Sequence, residues 1–174
     1  MPPRPVQLRA AVPGIVVARV ESVATIHGDR PVMRVRVGTT ERAATLTIRD
    51  GETIAQAART ALQQRLPVVI DIASTGADIA EGLAALHGWG QAARALTSCS
   101  GIVPTIITVD GPAVSGPALL LGLADLVIMT ASSYAFVTGP HMVRQFTGEP
   151  EQQRRAGDRR SVDGDDGGND PRAA

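Results

Sequence analysis

The sequence predicts an α/β fold on a parallel or mixed sheet, because one pattern occurs twice in it. Val68-Val69-Ile70-Asp71-Ile72 and Ile102-Val103-Pro104-Thr105-Ile106-Ile107-Thr108-Val109 are β-branched runs of strand character. The first leads to the glycine turn Ser74-Thr75-Gly76-Ala77-Asp78, the second to Gly111-Pro112-Ala113-Val114-Ser115-Gly116-Pro117, and each turn opens into helix-like sequence. Strands alternating with helices on this spacing make βαβ units.

The other elements follow in order. Residues 1–13, broken by Pro2, Pro3, Pro5 and Pro13, form a poorly ordered lead-in to a domain over 14–150. Gly14 to Thr25 and Pro31 to Val37 read as a hairpin around Gly28-Asp29, with Arg34 and Arg36 alternating with Val35 and Val37 to leave one face wet. A short strand over Ala44 to Ile48 precedes a helix begun by Asp50-Gly51-Glu52-Thr53. Ile54, Ala57, Ala58, Ala61 and Leu62 form its apolar stripe, Gln56, Arg59, Gln63 and Gln64 its wet side, and Pro67 its stop. Beyond the first turn, Ile79, Leu83, Leu86, Ala93 and Leu96 predict a second apolar stripe reaching Cys99, and Gly88 and Gly90 let Trp89 pack closely. A short helix over Pro117 to Ala124, with Pro117 first, leads to strands over Asp125 to Met129 and Tyr134 to Val137. From Glu151 to Ala174, Arg, Asp, Gly and Gln predominate, which predicts a disordered tail.

Composition narrows the function. The 174 residues are 44% hydrophobic, enough for a core, but only 2% aromatic and of zero formal charge, so stacking platforms and a basic surface for nucleic acid are missing. No apolar run is long enough to span a bilayer, and the lead-in lacks a signal-peptide core. Cys99 is the single cysteine, which fits a reducing cytoplasm and is read as a small buried residue. His27, His87 and His141 share no ligand spacing, so no metal is expected. Arg154-Arg155 and Arg159-Arg160 are offset by nearby aspartates and read as solvated tail. Asp78 and Glu81 read as a first-turn pair favouring a helix N-terminus. What remains is the pair of turns: unpaired N–H groups at two facing helix starts can hold one developing oxyanion.

Gly76-Ala77-Asp78-Ile79-Ala80-Glu81-Gly82, Ser100-Gly101-Ile102-Val103-Pro104, Gly111-Pro112 and Phe136-Val137-Thr138-Gly139-Pro140, in that order, resemble the carboxyltransferase (β) subunit of acyl-CoA carboxylases of the propionyl-CoA type. The likeness runs from about Thr53 to Glu149 and implies a crotonase-like (ClpP/crotonase) spiral of ββα units, here truncated. It implies an acyl-CoA substrate and carboxybiotin on a carrier protein as co-substrate, with no cofactor bound directly. A biotin carboxylase and biotin carrier subunit and further copies of the chain are the implied partners. The implied oxyanion donors are the backbone N–H groups of Ala77 and Gly116, with Thr75, Gly76, Ser115 and Gly139 lining the thioester. The matching position of the catalytic glutamate of crotonase hydratases is Leu119, which disfavours hydration.

The chain departs from the resemblance at identifiable residues. Asp78 stands where the family usually has arginine, His141 where it has aspartate, and Ala113-Val114-Ser115-Gly116-Pro117 where it has Cys-Ala-Gly-Gly-Ala. The second, biotin-binding domain of the family is not present in this sequence. A non-catalytic remnant that retains CoA affinity or a subunit interface, and a biotin-independent acyl-CoA decarboxylase, are therefore the alternative readings. Codons for Glu151 to Gly157, shifted by one nucleotide, can read Ser-Ser-Ser-Asp-Glu-Leu-Gly, as the family continues, so the tail is expected to arise from a frameshift. The gene's nucleotide sequence checks this: a frame continuing the family pattern is expected there, and its absence refutes the idea.

Overall fold

A computed structural model of the chain describes residues 16–38, 44–138 and 145–146. The expectations for residues 1–13, Gly139, His141 and the tail from Glu151 to Ala174 lie outside the described residues.

Strands β1 (Val16–Val23) and β2 (Arg30–Val37) pair antiparallel, Val16 opposite Val37 and Val23 opposite Arg30, as the alternation predicts. The hairpin closes where Thr25 and Gly28 exchange backbone hydrogen bonds and Gly28 takes φ +91°. The expected third strand stops early: β3 is Ala44–Leu46, and Ile48 already opens helix α1 (Ile48–Gln64). The cause is a capping box, in which Thr47 Oγ1 accepts from the Asp50 N–H and the Asp50 carboxylate accepts from the Thr47 N–H at 2.9 Å. The same carboxylate, 1% exposed, accepts from the Val16 N–H at 3.2 Å and joins the helix start to β1. Ile54, Ala57, Ala58 and Ala61 are fully buried on the predicted stripe.

Strand β4 (Val68–Ala77) is longer than the run Val68 to Ile72, because Ser74 to Ala77 continue it. The chain then makes a single 3₁₀ turn, Ile79–Glu81, capped by Asp78 Oδ1 on the Ala80 N–H at 2.9 Å, before α2 (Leu83–Thr97) begins after Gly82 at φ +53°. The predicted α2 stripe is corrected here: Ile79, Leu83 and Leu86 are 94%, 82% and 57% exposed, and Ala85, Gly88, Trp89, Ala92 and Leu96 face inward. Backbone contact sets this rotation. A Cβ on Gly51 would lie 2.3 Å from the Gly88 carbonyl carbon, and one on Gly88 would lie 2.7 Å from the Ile48 carbonyl oxygen, so α1 and α2 cross where only glycine fits. Cys99 ends this face; it is buried, and burial pushes its thiol up.

Strand β5 (Thr105–Val114) starts three residues later than expected and runs through Gly111-Pro112 to Val114, so the second turn tightens at Ser115. Helix α3 (Gly116–Leu121) is short, and Pro117 takes its second position. Strands β6 (Leu126–Met129) and β7 (Tyr134–Phe136) follow. The sheet runs β1-β2-β4-β5-β6, with β3 added to β4 and β7 to β5; among the described strand pairs only β1–β2 is antiparallel. Helix α1 packs over its apolar face, and α2 packs against α1. The opposite face carries an ionic ladder: Arg36 holds Glu21 through contacts of 2.7 and 3.0 Å, Arg34 holds Asp71 through 2.7 and 3.1 Å, and Thr108 Oγ1 donates to Asp71 at 2.6 Å.

The Arg36 fork, with Arg19, keeps the Glu21 carboxyl below its ordinary value of 4.5. Its contribution to stability is complete above that pH and is lost as pH falls through the depressed value. Glu21→Gln should therefore flatten the acid limb of the stability curve, and an acid limb unchanged from wild type would contradict the ladder. Gly88→Ala should cost about 3 kcal/mol, the upper end of overpacking costs, by urea denaturation.

Candidate active site

The ends of β4 and β5 come together because both strands belong to one parallel register, which pairs Ser74 with Ala113 and then stops. Beyond that pair the chains diverge, β4 into the 3₁₀ turn and β5 into α3. Gly76 lies against the second turn: a Cβ there would be 3.3 Å from the Val114 carbonyl oxygen and 3.4 Å from the Ser115 Cβ. Its φ of +114° is open to glycine and strained for other residues. Ser74, buried, fixes this end of β4 by donating Oγ to the Ala44 carbonyl at 2.8 Å and accepting the Gly76 N–H at 3.2 Å.

Ala77 is the next residue. The Asp78 N–H donates to the Leu46 carbonyl at 2.8 Å, on the β3 side of the strand. Alternation along an extended chain turns the Ala77 N–H to the other side, toward β5 and the second turn. At that turn Ser115 donates its N–H to the Phe136 carbonyl at 2.7 Å and accepts the Leu119 N–H at 3.2 Å, whereas the Gly116 N–H makes no hydrogen bond to any described residue. The sequence-predicted residues thus separate into three groups. Gly76, Ala77, Ser115 and Gly116 lie at the two adjoining turns, Thr75 is exposed on β4 beside them, and Gly139 lies outside the described residues.

Ser115 is held at φ +62°, ψ −123°, a conformation sparsely populated by any residue with a side chain. Its hydroxyl makes no hydrogen bond among the described residues, and a serine without a base in reach is a poor nucleophile. Leu119 is 60% exposed on α3, so no carboxylate occupies that position. Among the described residues the second turn offers main-chain donors rather than acid–base side chains, and Asp78 of the first accepts the Ala80 N–H; the chemistry the two turns share is stabilisation of charge on an oxygen.

Spacing alone does not reveal that Trp89 belongs to this site. A Cβ on Gly116 would fall 2.6 Å from Cδ2 and Cε2 and 2.9 Å from Nε1 of Trp89, so the glycine lies against the face of the indole. The one signal in the sequence is the only tryptophan standing between two glycines. Gly88 brings α2 down onto α1, as described above; Gly90 has open space around it.

Solved structures share this arrangement of strands and helices. Transcarboxylase 12S, crystallised as a hexamer with hydrolysed methylmalonyl-coenzyme A bound, superposes with a TM-score of 0.67 and 29% identity over 77% of this chain and 25% of that one. A Pseudomonas malonate decarboxylase heterodimer superposes at 0.66 with 17% identity over 78% of this chain and 61% of that one, a likeness of fold alone. The fold is the crotonase-like one, present in part.

The particular family follows from the sequence: residues 21–170 match the carboxyl transferase domain, and the chain belongs to that family. It is 44% identical over 96 residues to the biotin-dependent acetyl-/propionyl-coenzyme A carboxylase beta6 subunit of Mycobacterium tuberculosis, a match covering 55% of this chain and 20% of that protein. It is 42% identical over 96 residues to the propionyl-CoA carboxylase beta chain of Rhodococcus erythropolis, again 55% of this chain and 20% of that protein. The chain thus spans about a fifth of the length of these curated relatives.

Strain at residue 115 is testable by itself. Ser115→Gly should stabilise the fold by about 1–3 kcal/mol, a rise in melting temperature of about 2–4 °C per kcal/mol. A lower melting temperature would show that the serine side chain supports the turn.

Proposed function

We propose that the chain acts in carboxyl transfer to an acyl-CoA, as the part of a biotin-dependent acyl-CoA carboxylase that holds the acyl thioester. The observation that carries this reading is the contact between the two glycine turns. It brings the Gly116 N–H, unpaired among the described residues, near the edge toward which the Ala77 N–H is turned.

The physical requirement is simple. Removing a proton from the carbon next to a thioester carbonyl places negative charge on the carbonyl oxygen. Two N–H donors already aimed at that oxygen stabilise the enolate without rearranging as the charge develops. Main-chain donors cannot titrate, so the hole would work across a broad pH range. Thr75, Gly76 and Ser115 border the thioester in this reading, and Gly139 would complete the wall. Carboxybiotin on a carrier protein would release CO₂ as its carboxyl–nitrogen bond breaks, the freed biotin nitrogen would take the α-proton, and the enolate carbon would add to that CO₂, with a biotin carboxylase and carrier subunit as partners and further copies of this chain in the assembly. We place the chain in the cytoplasm, which the single cysteine fits.

A second reading rests on particular residues, Asp78 where the resembled family has arginine and Pro117 at the start of α3: the chain binds acyl-CoA without turning it over. Both readings require the thioester to bind at the turns. Titration of propionyl-CoA into the whole chain by calorimetry should therefore give a saturable heat, and a soluble, folded chain that gives none refutes both.

Ala77→Pro is the donor deletion to pair with it. Proline removes the N–H that β3 does not use, whereas any side chain at 116 collides with Trp89. It should weaken propionyl-CoA binding at least several-fold, and where turnover is measured it should cost about 10²–10³ in rate. Unchanged binding and rate would remove Ala77 from the hole.

A further inference from the structure

We infer that Trp89 is a positioning residue for the acyl thioester, acting through Gly116; this rests on the reading that the thioester oxygen is held at the two turns. Trp89 is 8% exposed and reaches Gly116 from α2, whereas the Gly116 N–H belongs to the start of α3. The three indole atoms nearest the missing Cβ, Cδ2, Cε2 and Nε1, lie at almost equal distances from it. A point so placed is above the ring rather than at its rim, so the indole forms a flat wall under the turn.

Two further observations separate this wall from ordinary core packing. The indole Nε1–H is buried and has no hydrogen-bond partner among the described residues, although a buried indole usually finds one. The placement of the ring is thus dictated by its contact with residue 116 and not by its own polar atom. Helix α2 is in turn locked against α1 at Gly88, the residue next to Trp89, where neither helix has room for a Cβ. The indole is consequently carried on backbone that cannot shift, and Gly116 is held between it and the strand end at Ser115. Ser115 needs such support because its φ of +62° is strained; without a wall the turn would be free to relax and swing the Gly116 N–H away.

Trp89 is the only tryptophan, so its emission reports this contact directly. The test is to titrate the whole chain with propionyl-CoA and, separately, with free CoA, following tryptophan emission and heat in parallel. The two ligands differ by the propionyl group, which carries the thioester oxygen. Emission should change with propionyl-CoA, saturate with the heat, and stay nearly constant with CoA. Trp89→Ala should weaken propionyl-CoA by about tenfold while leaving CoA unchanged, and Trp89→Phe, which keeps a flat but smaller ring and loses the N–H, should restore part of the difference.

If propionyl-CoA gives heat but leaves the emission unchanged, the positioning role is refuted and the acyl-CoA reading stands. If Trp89→Ala weakens both ligands equally, Trp89 is merely structural and the inference fails. If propionyl-CoA gives no heat at all, the acyl-CoA reading fails and takes the inference with it. If Trp89→Ala does not fold, Trp89→Phe takes its place in the second case: equal weakening of both ligands by Trp89→Phe makes Trp89 merely structural, and wild-type emission still decides the first case.

Discussion

The candidate site is held together by close approaches at glycines. Three such contacts follow one another through the fold: Gly51 against Gly88 where α1 crosses α2, Trp89 against Gly116 where α2 meets α3, and Gly76 against Val114 and Ser115 where β4 meets β5. Each fixes the next. The helix crossing sets the rotation of α2, that rotation places the indole, the indole supports the second turn, and the second turn abuts the first. Capping ties the series to the sheet, since Asp50 bonds both Thr47 and Val16, and Glu81 accepts the Ile48 N–H at 2.6 Å. A main-chain oxyanion hole needs that rigidity, because its donors have no rotamers with which to adjust.

Local pattern carried much of this fold. The hairpin, the α1 stripe from Ile54 to Ala61, the parallel strands at Val68 and Thr105 and the late strands at Leu126 and Tyr134 follow from alternation, helical spacing and β-branched runs. The boundaries that moved did so for tertiary or capping reasons. Thr47 and Asp50 close a capping box that takes Ile48 into α1, and Gly82 separates a 3₁₀ turn from α2. From the 3₁₀ turn into α2 the size of the apolar residues is a poor guide: Ile79, Leu83 and Leu86 point outward, and alanines, Gly88 and Trp89 point inward. What decides that face is the space left between two helices, and a single sequence does not encode the width of a gap in the composition of either wall.

The site was legible as far as its turns. The two turns meet where Gly76 lies against Val114 and Ser115, although the first opens into a 3₁₀ turn and not the helix that the pattern predicts; the tryptophan that underlies Gly116 comes from another element and leaves no periodic trace. Ser115 stands where a glycine would be relaxed, and Pro117 stiffens the start of α3. Both reduce the freedom of the second turn, and with the indole beneath it the turn becomes a fixed element, suited to a hole that must not reorganise.

The most direct measurement of this account is the amide NMR spectrum of the chain during titration with propionyl-CoA. Hydrogen bonding to one oxygen predicts that the Ala77 and Gly116 amide protons shift downfield together, on a single binding curve, while the Ser115 amide, already bonded to Phe136, moves little. Shifts confined to one of the two amides, or to neither while the ligand binds, would contradict the convergence on which the proposed chemistry depends.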